Sequence, residues 1–374
     1  MDQPVYAEAV YVDGLGVSQN LSSRNHSARN ISSRTLSPTT SISSKDAAAT
    51  KEFLNNNNWP RGLQSYIIQN SQKIAYRYFI LDDSGSMASN DGKRLLRLPG
   101  PNNFKIVSCT RWTELGESMK FHTTLANALN VSCEFRMLNS VTPVTIGGPD
   151  GHPEGLAIID SVLNDSPGGQ TPLCRHISEV IYKVRGIESE LRRTGQKACI
   201  IIATDGESSD GDLAKAMAPL QHLPVWVVIK LCTDDERVVE YWNGIDSKLE
   251  VDIDVLDDMS GESSEVYNVN PWLNYCEPIH RMREFGVLLR EMDLLDERLL
   301  SADQARIVCS ILFDISLSEL PHPEADFEGL VRRIDALNRD YGKFYSLHYK
   351  RMLPLIDITS FRKCYGPASS CIVS

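Results

Sequence analysis

The residues in this 374-residue chain most suited to chemistry stand in the run Phe79-Ile80-Leu81-Asp82-Asp83-Ser84-Gly85-Ser86-Met87. A hydrophobic strand ends at Asp82, and two hydroxyls follow at alternate positions, Ser84 and Ser86. Two further oxygen groups recur in comparable settings. Gly168-Gly169-Gln170-Thr171-Pro172 puts the Thr171 hydroxyl on a glycine-rich loop just before a helical pattern, and Ala203-Thr204-Asp205-Gly206 puts a carboxylate at the end of an apolar run. Two carboxylates and three hydroxyls, with no His or Cys among them, form a hard-oxygen set suited to Mg²⁺ or Mn²⁺ and poor for zinc or copper. A small divalent cation takes six ligands, so such a set leaves a coordination position open. Because most of the donors are neutral, the ion stays electrophilic enough to attract an incoming carboxylate.

The elements that must position these groups alternate between strand and helix patterns. Ala198 to Ala203 is apolar throughout, the mark of a central parallel strand covered on both faces; Val225 to Leu231 is similar in character, and Tyr76 to Leu81 is a β-rich run. Ser132 to Leu138 and Val141 to Ile146 read as two short successive strands, and Val251, Ile253 and Val255 alternating with Asp252 and Asp254 read as a half-exposed edge strand. Helical spacing joins Trp112, Leu115, Met119, Ala126 and Leu129, and it recurs after Pro153, over Leu173 to Leu191, near Leu213 to His222, and over Glu236 to Leu249. The expected fold class is therefore α/β, a doubly wound, mostly parallel sheet flanked by helices, with ligands bound beyond the carboxyl ends of the strands. Beyond Asn270 the strand signal stops. Ile279 to Leu299 is apolar at helical spacing, Ser301-x-x-Gln304 is a capping box, and a further helix is expected over about Glu324 to Tyr345, so residues 271–362 read as a helical extension.

At Asp82-x-Ser84-x-Ser86, Thr171 and Asp205, taken in this order and strand context, the chain resembles the von Willebrand factor type A family over roughly residues 72–270. The signature of that family is a metal-ion-dependent adhesion site. The resemblance implies a Rossmann-like domain over 74–270, and a Mg²⁺ or Mn²⁺ ion held by Asp82, Ser84, Ser86, Thr171 and Asp205, in part through water. It also implies a protein ligand whose Asp or Glu completes the metal shell. The stretch from Lys93 to Lys105, rich in Lys, Arg, Pro and Asn, departs from compact relatives and reads as a rim loop. Two rival readings follow from the same residues. One is a metal-dependent phosphoester hydrolase, for which Ser84 stands where an aspartyl phosphatase wants a second Asp and no positioned base is evident. The other is a membrane scaffold acting through the helical extension. A binding module, not an enzyme, is the expectation.

Composition bounds the rest. Basic side chains number 38 against 49 acidic, a net charge of −11, which argues against a nucleic-acid binder relying on a basic surface. No run reaches the roughly eighteen apolar residues of a membrane-spanning helix. The start lacks the pattern of a secretory signal, and Asp2 excludes N-myristoylation. The nine cysteines, with no C-x-x-C pair, suit a reducing interior and hence a cytoplasmic protein. Residues 1–50, rich in Ser and Asn, are expected to be disordered, 51–73 to be a lead-in segment, and 363–374 to be a flexible tail. That tail ends Cys371-Ile372-Val373-Ser374, a C-a-a-X box that predicts farnesylation of Cys371 and membrane attachment through the C-terminus.

Overall fold

The computed structural model describes residues 42–366 apart from positions 101, 140, 141, 234, 250 and 252. The expectations placed on residues 1–41, on Val141, on Asp252 and on residues 367–374, Cys371 among them, fall outside the described residues.

The end of the stretch expected to be disordered is helical. Ser43 caps a helix by accepting the Asp46 N–H on its hydroxyl, and α1 runs Ser44–Asn56, seven residues of it within the stretch expected to be tail. Asn58, at φ 55, turns the chain toward α2, Arg61–Asn70. Leu54, Leu63 and Ile67 are fully buried. The chain then enters β1, Ile74–Leu81.

The Lys93–Lys105 stretch is a correction. In place of a rim loop, it forms most of an antiparallel hairpin, β2 Gly92–Arg97 with β3 Phe104–Cys109. Next come α3 Arg111–Leu129, β4 Cys133–Met137, β5 Val144–Ile146, α4 Gly155–Asn164, α5 Leu173–Thr194 and β6 Lys197–Thr204. They are followed by α6 Leu213–Met217, β7 Val225–Leu231, α7 Glu236–Asp246, β8 Ile253–Leu256 and α8 Met259–Val269.

Six strands make one sheet in the order β5-β4-β1-β6-β7-β8, parallel throughout except for β5 on β4. Because side chains alternate along a strand, one sequence feeds two cores. Phe79, Phe135, Ile201 and Val228 face α3 and the C-terminal segment, whereas Ile80, Ile200, Ile202, Val227 and Ile229 face α5 and α7. The chain winds from β1 outward to β4 and β5, then crosses to β6 on the other side. That reversal opens a crevice beyond the carboxyl ends of β1 and β6, the place where ligands bind in doubly wound sheets.

After α8 come α9 Glu277–Glu284, α10 Arg290–Asp293, α11 Ala302–Leu312, α12 Phe327–Tyr341, the hairpin β9 Phe344–Ser346 and β10 Arg351–Leu353, and α13 Ile358–Tyr365. The expected helical extension therefore carries a two-stranded ribbon as well. Nor does the apolar pattern of Ile279 to Leu299 make one helix. Gly286, at φ 73, turns the chain after α9, and a Cβ there would lie 2.1 Å from the Cys199 sulfur.

The segment is built into the same core as the sheet, where Trp272, Phe285, Leu295 and Leu312 join Phe79 and Phe135. Polar groups fix its register. Arg77 on β1 donates to the Phe285 carbonyl at 2.9 Å and lies 4.3 Å over the Phe285 ring. Fully buried Glu284 is met by Lys230 of β7 at 2.5 Å, His280 at 3.2 Å and Arg281 at 2.9 Å, and by Ser118 and His122 of α3 at 2.8 and 3.1 Å. A carboxylate so deep is tolerable only with such partners, and together they tie α9 to both β7 and α3. The β8 edge is also more covered than its alternation suggests. Asp254 is buried and pairs with Arg283 at 2.9 Å, while Ile253 and Val255 pack toward the α7 side. Among the described residues no helix is long and apolar enough to cross a membrane.

Candidate metal centre

The apolar run of β1 delivers Asp82 to the crevice still attached to the sheet, its N–H donating to the Ala203 carbonyl of β6 at 2.9 Å. The side chain is fully buried. One carboxylate oxygen accepts the Ser84 N–H at 2.9 Å, which folds the chain into a tight turn, and the other accepts the Thr204 hydroxyl at 2.7 Å. That turn aims both serines the same way, with the Ser84 and Ser86 hydroxyl oxygens 3.0 Å apart. The Ser86 hydroxyl donates to Asp205 Oδ1 at 2.8 Å. Burial raises the Asp82 pKa above the ordinary carboxylate value. The Ser84 and Thr204 hydrogen bonds oppose the shift, and the Asp205 charge adds to it.

The second oxygen of Asp205 is taken by a cation from the protein itself. Arg111, the first residue of α3, donates to Asp205 Oδ2 at 2.8 Å and makes a two-pronged pair with Asp91 at 2.7 and 2.5 Å. The Asp91 hydrogen bonds hold the Arg111 pKa above its usual value, and they in turn hold Asp91 below its own.

Thr171 arrives by a different route. Its loop docks through backbone, Gly168 N–H donating to the Asp83 carbonyl at 2.7 Å and Gly85 N–H to the Gly169 carbonyl at 3.3 Å. Asn139 clamps the junction. Its backbone and side-chain N–H groups reach Asp83 Oδ1 at 2.9 and 2.8 Å, and its amide exchanges hydrogen bonds with the backbone of Gln170 at 3.0 and 3.2 Å. Gly169 is required here, since at φ 107 a Cβ would lie 2.3 Å from Asn139 Oδ1. Thr171 itself exchanges backbone hydrogen bonds with Ser209, at 3.1 Å to its hydroxyl and 2.8 Å from its N–H. Among the described residues its own hydroxyl makes no hydrogen bond to the other four. Four of the five expected ligands thus form one linked set, and the fifth is brought to the rim on its loop.

The oxygen types in the set are those a small hard cation takes. Around Mg²⁺ with ligands at about 2.1 Å, neighbouring oxygens of an octahedron are about 3.0 Å apart. The Ser84–Ser86 and Ser86–Asp205 separations of 3.0 and 2.8 Å match two consecutive edges. Ser84, Ser86 and Asp205 could hold the ion directly, with Asp82 and Thr204 orienting the turn behind them. A separate carboxylate group, Glu262, Glu265 and Asp296, also has the ligand types for a cation, its atoms lying within 4.8 Å of one another. There the buried Arg283 already ion-pairs with Glu262 and Asp296.

Spacing alone did not point to Thr204, Arg111, Asp91 or Asn139. Thr204 carried a weak signal, as the hydroxyl preceding the strand-end Asp205; the others carried none, because the hairpin and the β4 end bring them in from afar. Two histidines on either side of Thr171 in sequence stay outside the set. His152 accepts the Glu154 N–H at 3.1 Å, and buried His176 stands 3.0 Å from the Leu138 carbonyl. No family model and no curated protein matches the chain.

Proposed function

We propose that the chain is a divalent-cation-dependent protein-binding module of the von Willebrand factor A type, in which Ser84, Ser86 and Asp205 hold Mg²⁺ and an acidic side chain of the partner completes the shell. The observation that carries this reading is the linked chain of Ser84, Ser86 and Asp205 oxygens, at octahedral-edge separations, in the crevice where β1 and β6 part. A hydroxyl-rich set leaves net positive charge on the ion, so a partner carboxylate binds it as a ligand, not as a distant counter-charge. Thr171, on its docked loop, enters the shell through water or by a small advance of its side chain. Asp82 acts behind the ion by keeping both serines turned toward it.

The test is affinity capture from a lysate of the source cell with full-length chain, in Mg²⁺ and in EDTA, alongside Ser86→Ala and Thr171→Ala. The expected outcome is a protein retained in Mg²⁺ and released by EDTA, absent with Ser86→Ala and reduced with Thr171→Ala. A set of retained proteins indifferent to metal and to both substitutions overturns the proposal.

A further inference from the structure

A second concavity lies away from the metal centre, between α8, the end of α12 and the β9–β10 hairpin, with a volume of about 510 Å³. That is within the usual range for a small-molecule site. One wall is aromatic. Tyr267 and His348 stack with centroids 3.9 Å apart and planes within 16°, and Tyr349 meets both edge-on, its hydroxyl donating to Tyr267 at 2.8 Å. Tyr349 is 43% exposed, so this wall offers ring surface to a visitor.

The base of the cavity includes Asn274, which is only 7% exposed. Its amide N–H₂ is committed to the Phe344 and Leu353 carbonyls at 3.3 and 3.2 Å, which fixes the orientation of the amide. Its Oδ1 is buried without a hydrogen-bond partner and with almost no surface open to the cavity.

The charge at the mouth runs against that of the chain. Within a protein of net charge −11, the lining carries Arg339, Lys343 and Arg351 against Asp335 and Asp357. Arg339 pairs with Asp335, and Asp357 caps α13 through the Thr359 N–H at 2.9 Å. Lys343 and Arg351 are exposed and, among the described residues, are in no ion pair; Arg351 leans on the Tyr349 ring at 5.4 Å.

We propose that this cavity binds a purine nucleoside monophosphate. The base lies against the Tyr267–His348–Tyr349 wall, and the phosphate meets Lys343 and Arg351. The small cationic surplus suits one phosphate better than three. A phosphotyrosyl side chain shares the ring and the phosphate, but its single ring covers less of a three-ring wall than a fused purine does.

The experiment is calorimetric titration of the full chain with AMP, GMP, adenosine, inorganic phosphate and phosphotyrosine, repeated with Lys343→Ala/Arg351→Ala and with Tyr349→Ala. These positions are exposed, and unchanged melting of each variant confirms that the fold survives. The expected result is saturable binding of AMP or GMP. The double variant weakens it at least tenfold while adenosine is little changed, Tyr349→Ala weakens nucleotide and nucleoside alike, and inorganic phosphate is far weaker than either nucleotide. Saturation by neither nucleotide, equal binding of phosphotyrosine, or nucleotide affinity indifferent to the double variant overturns the proposal. EDTA and Ser86→Ala leave this binding unchanged, which separates it from the metal centre.

Discussion

Arg111→Gln asks whether the protein's own guanidinium and a metal ion compete for the same carboxylate. Arg111 Nη1 sits 2.8 Å from Asp205 Oδ2. An ion held at about 2.1 Å from the other oxygen would therefore stand roughly 6 Å from the guanidinium charge. At that separation the repulsion between a divalent ion and Arg111 is roughly 1.4 kcal/mol at the dielectric of water and roughly 5.5 kcal/mol at an effective value of 20. The Asp205 side chain is 1% exposed and that of Arg111 15%, so the interaction falls between these limits. Removing the guanidinium also frees Asp205 to wander, which offsets part of the gain, and the lower figure is the one to expect. It corresponds to Mg²⁺ binding about tenfold tighter. Titration calorimetry of Mg²⁺ into the full chain at pH 8 measures this, with Ser86→Ala in the Arg111→Gln background as the control. An Arg111→Gln chain that binds Mg²⁺ no more tightly than wild type refutes the competition. Tightened binding that survives loss of the Ser86 hydroxyl places the ion elsewhere. Either way Arg111 would then be the site's permanent cation, and the hydrogen-bonded chain would be complete without metal.

Two other perturbations probe the carboxylates on either side of the sheet. The Asp82 carboxyl is raised above its ordinary value chiefly by burial. Since metal needs the charged turn, Mg²⁺ affinity should begin to fall at a pH above the ordinary aspartate range, by up to about tenfold for each further unit of pH. The metal-free fold shows the opposite sign, gaining stability as pH drops through the folded Asp82 value. Calorimetric affinities from pH 8 down to pH 4 check this, and a constant affinity throughout contradicts it. For Glu284, burial works to raise the pKa, but Lys230, Arg281 and His280 outweigh it and hold the group well below the carboxylate range. Its contribution is thus complete above the unfolded glutamate value and disappears only as acid reaches the depressed folded one. Glu284→Gln should remove about 3–5 kcal/mol by stranding Lys230 and its neighbours. Urea denaturation reads this, and a loss under about 1 kcal/mol would show the network to be dispensable.

What could be read along the chain was whatever a strand or helix displays in its own consecutive residues. The runs at Tyr76–Leu81, Ala198–Ala203 and Val225–Leu231 are apolar but for Arg77 and Lys230 because both faces of those strands are covered, and they appear as β1, β6 and β7. Ser84 and Ser86 were legible for a related reason, since two hydroxyls within one turn after a strand end have few places to point. The hairpin β2–β3 was hidden because it packs too little of either face: Leu95, Leu96, Ile106 and Val107 are all half-buried, and no clean alternation results. The β9–β10 ribbon, with three residues in each strand, offers too short a pattern to separate from a loop.

The failures at charged positions share a deeper cause. Asp254 between Ile253 and Val255 reads as a solvent-facing carboxylate, yet it is buried because Arg283, far along the chain, comes to meet it. Arg111 looks like an ordinary residue at the start of a helix until the hairpin folds Asp91 against it and β6 sets Asp205 beside it. A buried charge is stable only with its partner present, so its position along the chain is determined jointly with a residue that no local window contains. Apolar burial has no such condition: any apolar neighbour will serve, so periodicity alone reports it. The same asymmetry bears on Thr171. Its loop is fixed by backbone bonds to Asp83 and Gly85, which Gly168 and Gly169 announce in advance. The direction of its hydroxyl depends instead on what occupies the space between the β1 and β6 ends. The Thr171→Ala measurement is therefore the one most sensitive to whether an ion belongs there, because no protein group among the other four already uses that hydroxyl.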